Sequence, residues 1–154
     1  MSIYVNAKIR IKRNALHQEM MQKLTSGLKI FDSYRDILVL SAVIGFLNER
    51  YSPIEKVASD GVLMQFFTES DYDLMDLIAY AHSKEQSVLK SDEKYEIFSA
   101  YANGGFPILF EALEITQDTD IDESLQEGIM RKIYANILSN KFIVESAVND
   151  LFIS

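Results

Sequence analysis

The stretch ILVLSAVIGFL, residues 37–47, is apolar on nearly every face of the helix it would form. A helix without a polar side has no place against water and must be surrounded by other elements. Asp32 or Ser33 caps its start, with Asp36 three residues beyond Ser33 in the manner of a capping box. The run is far shorter than the roughly 18 uninterrupted apolar residues of a membrane-spanning helix, so its cover has to be protein. A chain of 154 residues, 48% of them apolar, is long enough to supply that cover within one domain. The expectation is a mainly α, single compact domain over residues 1–154, built from about six or seven helices with at most a short N-terminal strand.

The remaining segments are read against that centre. Ile3, Val5, Ala7, Ile9 and Ile11 alternate with Tyr4, Asn6, Lys8, Arg10 and Lys12, the period of a half-buried strand with one apolar and one basic face. Asn14 caps a short helix carrying Leu16, Met20 and Leu24, which ends near Ser26 and Gly27. GVLMQFF, residues 61–67, fits a short helix or a strand by periodicity; its helical neighbours favour a helix. Residues 70–84 begin with a Ser70…Asp73 capping box and place Leu74, Leu77, Ile78 and Ala81 on one face. Residues 91–103 have Ser91 as cap, with Ile97, Phe98 and Tyr101 inward. The last third opens on the acidic DTDIDES and continues through Leu125, Ile129, Ile133 and Ile137 at helical spacing. FIVESAVNDLFIS, residues 142–154, fits a final helix or a strand that pairs with the N-terminal one.

Only six glycines occur in the chain, and two of them stand together in FSAYANGGFPILFEAL, residues 98–113. Asn103, Gly104 and Gly105 fall where one apolar helix would stop, and Pro107 suits the first turn of the next, where its missing N–H costs nothing. The local reading is a structural corner. The competing reading, a phosphate cradle at a helix N-terminus, lacks the Gly-x-x-x-x-Gly-Lys-Ser/Thr pattern and a preceding strand.

Catalytic chemistry finds little to stand on. There is no cysteine, hence no disulfide framework and no thiolate metal site. The two histidines, His17 and His82, have no partner at metal-ligand spacing and read as helix-end or surface residues. Asp73 and Asp76, three apart, put two acids on one helix face, but Asp71 and Asp73 belong to its first turn, where acids serve the dipole and the cap, so a magnesium-dependent nuclease site is not favoured. Asp118, Asp120 and Asp122 alternate like a calcium loop, but Glu123 occupies the position that needs glycine. No metal and no cofactor are expected. The basic N-terminus has no apolar segment or small-residue cleavage site behind it, so it is not read as a secretory signal, and a cytoplasmic protein is expected.

Net charge is −8, unevenly placed. Residues 1–35 hold seven Lys or Arg against two acids, a charge of +5, which leaves −13 for the rest. Either the basic segment is an outward contact surface or it packs on its own acidic body. As a contact surface, Lys8, Arg10, Lys12 and Arg13, with Lys23, would meet DNA phosphates or a protein partner; four to six phosphate contacts imply a salt slope of about −4 to −5. The acidic body opposes phosphates beyond the basic strip, within the roughly 8 Å that physiological salt leaves unscreened. That balance favours an adaptor docking on the basic surface of a larger protein, with a DNA-binding module as the alternative.

YRDILVLSAVIGF, residues 34–46, followed by YEIFSAYANGGFPILFE, residues 95–111, resembles the dnd system-associated protein 4 family, small proteins found beside DNA phosphorothioation genes. Phe31, Tyr34 and Asp36 match its F-x-x-Y-x-D pattern. The resemblance spans roughly residues 8–115. It implies a bacterial defence (restriction-modification) context in which sulfur-modified self DNA is told from unmodified DNA, and it implies no active-site residue. Together with the residue-level reading it points to a non-catalytic accessory protein that binds a larger component of such a system.

Overall fold

A computed structural model describes residues 2–113. In chain order they form strand β1 (Arg10–Ile11), helix α1 (Gln18–Gln22), α2 (Tyr34–Leu47), strand β2 (Val62–Leu63), α3 (Glu69–Ser83) and α4 (Glu93–Ala112). Short 3-10 turns precede α1, follow β2 and precede α4, and α1 runs on into a π turn over Lys23–Gly27. The described residues are mainly helical, as expected. The described residues contain four α-helices rather than six or seven, and the helices expected from Leu125 onward lie outside them.

The apolar stretch occupies the centre. Ser33 caps α2 by accepting the Asp36 N–H at 3.4 Å, and Ile37, Leu38, Leu40, Ala42 and Ile44 are buried. Helix α4 is the main partner of α2, burying Tyr95, Ile97, Phe98, Phe106 and Leu109. Helix α3 closes the other side of α4 with Met75, Ile78 and Ala79. Its capping box lies two residues earlier than the sequence reading placed it. Thr68 accepts the Asp71 N–H at 3.2 Å and Asp71 accepts the Thr68 N–H at 2.8 Å.

The glycine corner does not exist. α4 continues without a break through Asn103, Gly104, Gly105 and Pro107, and no glycine among the described residues has a positive φ. The reason for the glycines is steric and long-range. A Cβ on Gly105 would overlap the Ser41 carbonyl oxygen and come within 2.5 Å of the Gly45 nitrogen. One on Gly45 would overlap the Tyr101 carbonyl, and one on Gly104 the Arg50 carbonyl. Bare backbone at Gly45 and Gly105 therefore lets α2 and α4 cross in direct main-chain contact. Pro107, far from a first turn, sits exposed in the helix and leaves the Asn103 carbonyl without its usual N–H donor.

The N-terminal alternation is realised only at its end. β1 pairs antiparallel with β2, Arg10 opposite Leu63 and Ile11 opposite Val62, and Ile11 is fully buried. Before it the phase inverts, with Ile3 67% and Val5 39% exposed. The cause is a turn in which the Ile9 N–H donates to the Asn6 carbonyl at 3.2 Å, together with polar bonds that pull Tyr4 and Asn6 inward. Residues 61–67 use both readings left open by periodicity, a two-residue strand followed by a 3-10 turn at Met64–Phe66.

Candidate interaction surface

The five cations of the basic strip do not form one outward surface. Lys8 and Arg10 are exposed. Lys12 donates to Glu96 on α4 at 2.7 Å, with both side chains at the surface. Lys23 is half-buried at the start of the π turn. Arg13 is 2% exposed, which overturns its reading as a contact residue. Its guanidinium lies 4.4 Å from the centre of the Tyr34 ring, donates to the Asp60 carbonyl at 3.0 Å, and donates to Gln18. A planar group that stacks and donates in several directions is what this interior junction between β1, α1 and α2 requires.

The rest of the N-terminal segment is strapped onto the first turn of α4. Tyr4 donates its hydroxyl to Asp92 at 2.7 Å, the Asn6 side-chain amide donates to the same carboxylate at 3.2 Å, and the Asn6 N–H donates to the Tyr95 hydroxyl at 2.8 Å. Beneath the strap Lys94 is 1% exposed. Its ammonium donates to Asp76 at 2.8 Å, to the Leu89 carbonyl at 2.9 Å and to the Tyr4 carbonyl, which satisfies all three protons. A fully paired ammonium is a structural pin. Donating to the Asp92 carboxylate raises the pKa of the Tyr4 hydroxyl from its ordinary value.

The acids that open α3 are separated by use. Asp71 caps the helix and accepts a forked pair from Arg35, at 2.8 Å from Nε and 2.6 Å from Nη2, while Arg35 also donates to Asp36 at 2.7 Å. Burial alone would lower the Arg35 guanidinium, but the bonds to Asp71 and Asp36 outweigh it and raise it. Asp76 serves Lys94. The expected Asp73–Asp76 face therefore has one of its members committed to a buried cation. The calcium-like pattern at Asp118, Asp120 and Asp122 lies outside the described residues.

Asn103 has a different task from ending a helix. It accepts from the Asn14 side chain at 2.9 Å and donates to the Ser52 carbonyl at 2.8 Å, tying the start of the first helical turn and the 50–52 loop to α4. That loop displays Tyr51, 41% exposed, whose ring stacks on His82 with centroids 4.3 Å apart and planes at 16°. Tyr101 meets Tyr51 edge-on at 5.1 Å, and its hydroxyl lies 2.8 Å from His82 Nδ1. Burial, with Glu93 and Glu96 behind it, raises the Tyr51 hydroxyl; burial, then Tyr51 and Glu49, raises that of Tyr101. His17 packs its ring on Phe106 at 4.7 Å, and burial lowers it.

Two of these features have signals in the sequence. Lys94 stands three, four and seven residues before Ile97, Phe98 and Tyr101, on the inward stripe, and Arg13 continues the Ile9, Ile11 alternation. The Arg35–Asp71 clamp and the Tyr51–His82 stack join segments that no local pattern connects.

A small helical domain with a clamped N-terminal strap and an acidic body thus carries its conspicuous polar groups as internal ties. The chain belongs to the DNA sulphur modification system-associated protein 4 family, whose model matches residues 10–142. The match extends past residue 115, where the resemblance seen in the sequence stopped. No curated protein and no solved structure matches the chain. Among the described residues no helix is long and apolar enough to cross a membrane.

Proposed function

We propose that this chain is a non-catalytic adaptor of a bacterial defence system linked to DNA phosphorothioation, acting in the cytoplasm by binding a larger protein component of that system. The family supplies the context. The observation that carries the adaptor reading is the internal use of the basic strip. Arg13 is buried and Lys12, itself exposed, is held by Glu96, so of the strip's outward cations Lys8 and Arg10 remain, in a chain whose net charge is −8. Such a balance repels a phosphate backbone and suits a basic protein surface.

The test is co-expression with the proteins encoded beside it, isolation of the complex, and a DNA titration of the chain alone at two salt concentrations. The adaptor reading expects a stoichiometric protein complex and weak intrinsic DNA affinity. Tight DNA binding by the chain alone, lost in Lys8→Glu/Arg10→Glu, would establish the DNA-binding alternative. Metal-dependent DNA cleavage by the pure protein would defeat both.

A further inference from the structure

Tyr51 lies outside the buried core cluster and meets it through Tyr101, yet its mounting is firm. The Arg50 N–H donates to the Gly45 carbonyl at 2.8 Å and the Ser52 N–H to the Ala100 carbonyl at 3.1 Å, so the residues on both sides of Tyr51 are fixed to α2 and α4. Asn103 adds its bond to the Ser52 carbonyl, and the absence of a side chain at Gly104 is what allows the Arg50 carbonyl to lie against α4. An aromatic ring displayed on immobilised backbone loses little freedom on binding, the property of an interface anchor.

The electrostatic surroundings define what such an anchor would meet. Tyr51 follows closely on the C-terminus of α2, and His82 lies in the last turn of α3. Both helices present their negative ends here. Glu93 and Glu96 act on the Tyr51 hydroxyl and Glu49 on that of Tyr101; Glu49 and Glu93 are exposed, and Glu96 is shared with Lys12. Glu49 has a φ of 55°, the left-handed conformation that follows a helix end and that glycine adopts at least cost.

We propose that Tyr51, backed by His82 and flanked by Glu49 and Glu93, receives an arginine or lysine side chain from a basic segment of the protein partner. The aromatic face attracts the cation, the carboxylates pair with it, and the two helix ends add to the field. The assignment rests on the adaptor reading and gives it a location on the surface.

The probe is a fluorescein-labelled oligo-arginine peptide titrated against the full chain at physiological salt. Tyr51→Leu, which keeps apolar cover over His82 without the π face, should weaken binding about 3- to 30-fold. Tyr51→Phe should bind like wild type, and so should Asp32→Asn, which removes an exposed acid elsewhere. Glu49→Gly should weaken the peptide while raising the melting temperature, because it removes both the charge and the strained backbone. Equal affinities for wild type and Tyr51→Leu, or an equal loss in Asp32→Asn, would reduce the effect to diffuse acidity and overturn the proposal. Tyr51-dependent binding of single-stranded oligothymidine in place of the peptide would overturn it in favour of base stacking. A co-expressed complex that forms equally well with Tyr51→Leu leaves the adaptor standing and removes this site from it. Tyr51-dependent peptide binding by a chain that forms no complex would remove the adaptor instead.

Discussion

Gly105 lies directly under the carbonyl oxygen of Ser41, with no room for a Cβ between them. Exposed helical Gly→Ala changes ordinarily stabilise by about 1 kcal/mol through helix propensity. Here the sign should reverse. Gly105→Ala and Gly45→Ala must push α2 and α4 apart along their shared contact, and each is expected to cost about 2 kcal/mol or more by overpacking. Urea denaturation of the two variants checks this, and a gain in stability at either position would mean the helices do not cross on bare backbone.

Lys94 and Asp76 form the second tie. Removing the cation leaves a largely buried carboxylate and two carbonyls without their donor. Lys94→Met should cost about 3 kcal/mol, near the lower end for a broken buried pair because Asp76 retains some access to water. Adding Asp76→Asn should recover part of the loss by removing the stranded charge. A single variant within about 0.5 kcal/mol of wild type would place Lys94 among ordinary surface lysines.

How far the sequence discloses this architecture depends on the range of the interaction. The apolar run at 37–47 and the spacing of Ile97, Phe98 and Tyr101 depend on local period alone, and they identify the two central helices. The glycine pair misleads because its local context, Asn before and Phe-Pro after, reads as a stop and a start. Its actual partners are carbonyls of Ser41 and Arg50, far away in the chain. Arg13 shows a different failure. Its position on the inner face was implicit in the alternation that ends at Ile11, but grouping by charge placed it with Lys8, Arg10 and Lys12 on the outer one.

That placement has a measurable consequence. Arg13→Glu would bury a carboxylate beside the Asp60 carbonyl and should cost about 3 kcal/mol or more. Lys8→Glu and Arg10→Glu should each stay within about 0.5 kcal/mol of wild type. Thermal melts of the three single variants separate these outcomes. Reversing Lys8, Arg10, Lys12 and Arg13 together would add this core penalty to any effect on contacts, so binding experiments need the Lys8 and Arg10 pair alone.

His17 supplies the pH dependence. Its ring rests on Phe106, its Nδ1 is buried without a hydrogen-bond partner among the described residues, and burial lowers its pKa from the ordinary value near 6.5. The unfolded chain therefore holds more protons on this residue than the folded one between the lowered value and about 6.5. Its contribution to stability is complete above about 6.5 and declines as pH falls from there toward the folded-state value, with no further loss below it. His17→Leu keeps an apolar group against Phe106 and cannot titrate. The melting temperature of wild type should fall more steeply than that of the variant between about pH 7.5 and pH 5.5, since the carboxylates contribute equally to both. Parallel curves across that interval would show that His17 accepts its proton without penalty, contrary to the packing seen here.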